Sequence, residues 1–279
     1  MIYTELVTAI QDYVENNFPT ADINRFIEQA EQRIYNSVQI PSLRKNVTGQ
    51  VSPANAYLAC PQDWLSTFSI AAYTYTSGTI GTTTGSSSIT TTGVSNIQVG
   101  QLVTASGIPV GTVVISVGST TANLSAVATA TASVSASFQG PYSYLLNKDV
   151  SFIREAYAYP STTGLPLYYA LFGAQSSNIL DMTFILGPTP DQVYNMELHY
   201  NYYPQSIVTA SETWLGDNFD TALLNYCLME AITYIKGEPD LVTLYQKRAD
   251  DAMALLKQLG DAKEKGDSYR DGNPKYKVV

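Results

Sequence analysis

The sequence predicts an α+β protein, and three observations carry that reading. Apolar residues recur at three- and four-residue steps near both ends of the 279-residue chain. Between those ends lie aromatic and β-branched runs that alternate with polar residues, the two-residue period of strands. Inside that β region, residues 64–147 contain no Asp, Glu, Lys or Arg, although the whole chain holds 15 Lys and Arg against 24 Asp and Glu. The block is too rich in Ser, Thr and Gly to span a membrane. It reads as a module set into something else.

The first segment reads as two helices. Thr4 is the cap candidate of the first, with Leu6, Ile10, Tyr13 and Val14 on one face. Phe18-Pro19 breaks it, because the residue before proline avoids the α region. Thr20 or Asp22 caps the second, where Ile23, Phe26, Ile27, Ala30, Ile34 and Val38 form an apolar stripe that ends at Pro41. Strand-like runs follow: KNVTGQV, AYLACP and WLSTFSIAAY. After the neutral block, YSYLLNKDVSFIREAYAYP resumes with charges and aromatics, and the two aromatic flanks match as the strands of one hairpin would.

Within the block, NIQVGQLVTA, TVVISVG, ANLSAVATA and ASVSASF are short β-branched runs separated by Gly and Pro, the pattern of a small all-β module. Its first part, TSGTIGTTTGSSSITTTG, is either a linker or a threonine-rich edge hairpin. A module of ~60 residues folds alone only marginally. Without charges it has few guards against edge pairing, so its edges are expected to be covered by a neighbour or kept harmless by hydroxyls.

PLYYALFG, DMTFILGP and YNMELHYNYYP then predict an antiparallel meander. In the last run Tyr194, Met196, Leu198, Tyr200 and Tyr202 take one face, and Asn195, Glu197, His199 and Asn201 the other. The last segment is helical again: one helix from a cap at Asp217 to a stop at Gly237, and one from Pro239 to Gly260 with Leu241, Leu244, Tyr245, Ala252, Leu255 and Leu256 as its apolar face. The domain expectation is therefore 1–72 with 141–260 as the main body, 73–140 as an inserted β-module, and 261–279 as a flexible, charged tail.

The sequence offers little to an enzyme or a cofactor. The single histidine, His199, sits in a strand pattern beside Glu197 and reads as a surface or interface residue. HExxH, GxxxxGK[ST] and a GxGxxG after a strand do not occur. GTIGTTTG has neither the lysine nor the following helix of a phosphate loop. Asp217 and Asp220 read as helix-start residues rather than metal ligands. Cys60 and Cys227 read as buried free thiols. Asn46 and Asn123 match the glycosylation pattern by chance. The N-terminal stretch lacks a signal-peptide pattern, which points to synthesis in the cytoplasm. A net charge of −9 argues against a nonspecific grip on nucleic acid. Of the 21 tyrosines, those outside the meander suit protein interfaces.

FIEQAEQRIYNSV, SYLLNKDVSFIREAY, PLYYALFG, FILGPTPD, MELHYNYYP and TWLGDNFDTALLNYCLMEAITYIKGEPDL, in that order, resemble the phage head-to-tail adaptor (connector) family, the tail tubular A type of short-tailed phages. The resemblance covers residues 1–72 and 141–260; block 73–140 departs from it and resembles small β-modules inserted in phage structural proteins. It implies a virion protein of the neck. Twelve copies would form a ring between the portal protein and a nozzle protein of the tail tubular B type, with tail fibres as a further partner. Double-stranded DNA would pass through the ring without specific binding. It also implies that the tail reaches the portal, with Tyr269, Arg270, Tyr276 and Lys277 as anchors. The stripes containing Phe26, Ile34 and Leu256 are expected to face neighbouring copies. The competing reading is a receptor-binding or fibre-type tail protein with a carbohydrate-binding β-module, against which the helical ends argue.

Overall fold

The computed structural model describes residues 1–38, 41–173 and 182–264. In chain order the first elements are α1 (Tyr3–Val14), α2 (Thr20–Ser37), β1 (Arg44–Val51), β2 (Tyr57–Ala59) and β3 (Trp64–Tyr73). Next come β4 (Tyr75–Thr82), β5 (Ser88–Gly93), β6 (Leu102–Ala105), β7 (Val114–Val117), β8 (Thr121–Leu124) and β9 (Ala132–Gln139). Then follow β10 (Ser143–Tyr144), β11 (Leu146–Asn147), α3 (Val150–Ala156), β12 (Tyr168–Phe172), β13 (Thr183–Gly187) and β14 (Tyr194–Tyr202). The last are α4 (Ile207–Ala210), α5 (Trp214–Asn218), α6 (Asp220–Tyr234) and α7 (Pro239–Glu264). The α+β class holds. Two compact units result: Met1–Lys45 with Asn201–Val279, and Asn46–Tyr200. Contacts thus group the β region with the charge-free block and not with the terminal helices.

In the helical unit, α6 sets the packing. Nine of its 15 residues are buried, from Ala222 and Leu223 to Ala231 and Ile232, so it is apolar nearly all round. Such a helix has to be enclosed. The faces that enclose it come from α1 (Leu6, Ile10), α2 (Ile23, Phe26, Ile27, Ala30, Ile34) and α7 (Tyr245, Ala249, Ala252, Met253, Leu256). Phe26 meets Phe18 and Tyr234 edge-on at centroid distances of 5.5 and 5.3 Å.

Local starts and stops differ from the expected caps. α1 begins at Tyr3, and the Glu5 carboxylate, not Thr4, accepts the Ile2 amide at 3.0 Å. The expected helix from Asp217 is two: Thr213 caps α5 by accepting the Gly216 amide at 3.2 Å, and the chain breaks at Phe219 before α6 restarts. At the end of α6, Lys236 rather than Gly237 takes the positive φ. Gly237 is needed for a different reason: its amide donates to the Ile232 carbonyl at 3.0 Å, and a Cβ there would stand 2.7 Å from Ile232 Cγ2.

In the β unit the three predicted strands do not form one meander. β12 and β13 pair antiparallel in a sheet ordered β11-β12-β13-β2, whereas β14 lies in a second sheet ordered β1-β14-β3-β10. The proline-rich link GPTPDQ carries the chain from one sheet to the other. β14 does alternate: Tyr194, Met196, Leu198 and Tyr200 are buried, and the Tyr200 hydroxyl donates to Asp63 at 2.8 Å. The stretch after the neutral block is only partly extended. Asp149 sits at the N-cap of α3, whose Ile153 packs on Ala170 and Ile185.

β3 and β10 pair antiparallel, Ala72 opposite Ser143 and Ala71 opposite Tyr144. Between them the charge-free chain forms its own six-stranded sheet, ordered β6-β9-β4-β5-β8-β7. The two ends of this sheet meet: Val103 N–H donates to the Thr112 carbonyl at 2.8 Å and Val114 N–H to that of Gln101 at 2.9 Å, with Leu102 bridged to Val113. The sheet is thereby closed into a small barrel. Its interior holds Ile80, Ile89, Val103, Val114, Leu124 and Phe138. At its root the Gly140 amide donates to the Thr74 carbonyl at 2.8 Å, and the Tyr73 and Tyr142 rings meet at a tilt of 53° with centroids 4.8 Å apart.

Because Tyr75 and Gln139 are already cross-strand partners, replacing residues 76–138 by an Asn-Gly turn should leave the other elements folded. Circular dichroism should keep the helical signal and a cooperative melt; loss of either would make the barrel part of the main core. In the intact chain, Phe138→Ala should cost the barrel ~3–5 kcal/mol by cavity formation. Hydrogen exchange should accelerate in β4–β9 and not in α6.

Glu31 is 3% exposed and accepts the Ile207 amide at 2.9 Å. Burial is the largest influence on its carboxyl and raises its pKa above the ordinary 4.5, against smaller lowering by bonds from Ser206 and Ile207. The folded state then holds this proton more tightly than the unfolded one. As pH rises through the window between the ordinary value and the raised one, Glu31 contributes a loss of stability. Glu31→Gln keeps an acceptor for Ile207 and should remove that part of the slope in urea unfolding measured against pH.

Candidate assembly surfaces

The residues expected to contact neighbouring copies are placed inside the subunit. Phe26 is 3% exposed, and Ile34 and Leu256 are fully buried, all in the core around α6. This corrects the expectation: α6 uses up the stripes of α2 and α7, so no apolar face of either is left over from these three positions. Tyr269, Arg270, Tyr276 and Lys277 lie outside the described residues.

Other exposed faces take their place. Leu241, Leu244, Arg248, Asp251 and Leu255 recur at three- and four-residue steps along α7 and are all exposed, Leu255 at 60%. They form a second stripe, separate from the buried one of Tyr245, Ala249, Ala252 and Leu256. Sequence reading merged the two, because 3.6 residues per turn lets Leu241, Leu244 and Leu255 stand next to Tyr245 and Leu256 in the sequence. Beside this stripe, α1, α6 and α7 enclose a groove of about 480 Å³. Leu224 and Leu228 line it, Tyr13 and Leu255 flank it, and Asp220, Asp251 and Arg248 add charge.

In the β unit, β1 is a sheet edge. Among the described strands it neighbours β14 alone, and its residues Lys45–Gln50 are exposed. An eight-residue edge strand is a template for a further strand. The adjoining sheet face is polar: Gln50 bonds Asn195 at 2.9 Å, Asn46 bonds Glu197 at 2.5 Å, and His199 lies 3.7 Å from Glu197 and 3.3 Å from Ser69. The Tyr142 hydroxyl donates to Glu197, and its pKa is raised by partial desolvation first and by that carboxylate second.

His199 meets the Ser69 hydroxyl and the Glu197 carboxylate, which Asn46 and Tyr142 also bond. Among the described residues no three of His, Cys, Asp and Glu gather to hold a metal. Burial pushes the Cys60 thiol up to about 12 and the Cys227 thiol well above its ordinary value, so neither is a ready nucleophile. Among the described residues no helix is long and apolar enough to cross a membrane.

No curated protein matches the chain. The family model of the SU10 adaptor protein matches residues 1–101 and 97–273. The two stretches meet inside the barrel, between β5 and β6. Together they span nearly the whole sequence, and the chain belongs to the SU10 adaptor protein family, a family of phage structural adaptors.

Proposed function

We propose that the protein is a head-to-tail adaptor of the virion neck. Copies close into a ring, twelvefold by expectation, that joins the portal protein above to the tail nozzle below. Double-stranded DNA passes through without being held. The observation that carries this reading is the family match along almost the entire chain. Three features support it. The outer stripe of α7 and the edge strand β1 offer two different contact surfaces, which a head-to-tail ring requires because each copy presents two different faces. The chain's net charge of −9 suits a wall that repels phosphate. The barrel is a self-contained addition suited to a peripheral contact, such as a tail fibre.

Electron microscopy of the protein mixed with its cognate portal should show a twelvefold collar. A free trimer would instead favour a fibre. Leu244→Asp, at a position 42% exposed, should leave the circular dichroism of the subunit unchanged and reduce collar formation. Leu256→Asp, at a fully buried position, should unfold the helical unit, since an unpaired buried charge costs several kcal/mol, ~3–5.

A further inference from the structure

The groove between α1, α6 and α7 has an apolar floor and a charged rim, and the sequence beyond α7 complements it. Residues 265–279 carry four of the 15 Lys and Arg but two of the 24 Asp and Glu, a net +2 where residues 1–264 carry −11. Both tyrosines of that segment are flanked by cations, Tyr269 by Arg270 and Tyr276 by Lys275 and Lys277. The groove offers what such a pair of features needs: Leu224 and Leu228 for a ring, and Asp220 and Asp251 for the flanking cations, with Asp250 next to them and Arg248 as the opposing charge.

We infer that in the free subunit, before it meets a portal, segment 265–279 docks in this groove of its own chain through Tyr276 and its flanking lysines. Reach permits it. From Leu255 to the end of α7 at Glu264 the helix rises ~14 Å, and the residues from 265 to Tyr276 extend up to ~40 Å. The covalent link favours the same chain over another copy, because a short tether holds the segment at an effective concentration of ~1 mM or more. Tyr276 would cover Leu255, the most exposed leucine of the outer stripe. The docked segment would share Arg248, Asp251 and Leu255 with the outer stripe offered to a neighbouring copy, so docking is read on the free subunit, where its failure is distinct from a failure of ring closure.

The test places a photoreactive phenylalanine at position 276 of the full-length chain at low micromolar concentration. Mixed preparations of ordinary and 15N-labelled protein are irradiated and the adducts mapped by mass spectrometry. Adducts on residues 220–228 and 248–255, joining peptides of the same isotope label, are expected. Raising the salt should lower their yield, as should Asp251→Lys, by several-fold; that exposed change should leave the helical signal intact. Adducts mainly elsewhere, adducts joining different labels, or a yield indifferent to Asp251→Lys would overturn the inference.

Discussion

The helical unit depends on one constraint: α6 is apolar nearly all round and cannot meet water on any long side. Each of the elements around it supplies one stripe, and each supplied stripe is then unavailable for anything else. Deleting a single buried leucine from such a helix costs ~2–5 kcal/mol, a large share of the stability of an ordinary domain. The amphipathicity of α1 and α2 is therefore explained inside one molecule. What remains for contact between molecules is what enclosure leaves over, and on α7 that remainder is a second stripe of leucines with Arg248 and Asp251 in its middle. A helix that carries two stripes has a reason to be long, and α7, at 26 residues, is the longest described element.

Much of this was legible in the sequence, and the failures have physical causes. The helical periodicities that begin at Thr20 and Pro239 and the alternation of 194–200 were readable because each element has one dominant buried face, although α7 runs past the expected stop at Gly260 to Glu264 and Asn201 rather than Tyr202 is buried at the end of β14. The role of Phe26, Ile34 and Leu256 was not, since a stripe looks the same whether a helix of its own chain or of another covers it. Only the unusual composition of α6 hinted at the answer: a stretch as apolar as ALLNYCLMEAI needs several covering helices, and the chain supplies them nearby. The split of β12 and β13 from β14 was hidden because strand pairing is a nonlocal choice that periodicity does not encode. α3 was missed because Phe152, Ile153, Tyr157 and their neighbours have β-like composition. Its close seat on β13 depends on Gly187, where a Cβ would stand 2.7 Å from Ile153.

Charge is distributed unevenly along the chain, and the distribution matches the two kinds of surface. The helical unit carries most of the ionisable side chains, and some of them work inside it: buried Glu31 accepts the first amide of α4, and Arg33 lies 5.3 Å over Tyr226 and 3.8 Å from Glu230. The barrel carries none. Contacts made by the helical unit will therefore weaken with salt in proportion to the exposed pairs they use. Contacts made by the barrel have no ion pairs of its own to lose and rest on Ser, Thr and Asn hydrogen bonds and on scattered apolar residues such as Val99, Val110 and Ile115.

A barrel without charges still has to avoid pairing with other strands, and here it does so by geometry. Charged side chains and prolines are the usual guards of an open sheet edge. Joining the chain around β6 to that before β7 removes the open edge itself, through the bonds of Val103 to Thr112 and Val114 to Gln101. The device has a sequence requirement. The link between the two strands must turn back sharply, and SGIPVGT meets it with Gly107 and Gly111 at positive φ, where side chains are strained. Closure at that link is what lets so neutral a stretch persist without charged guards.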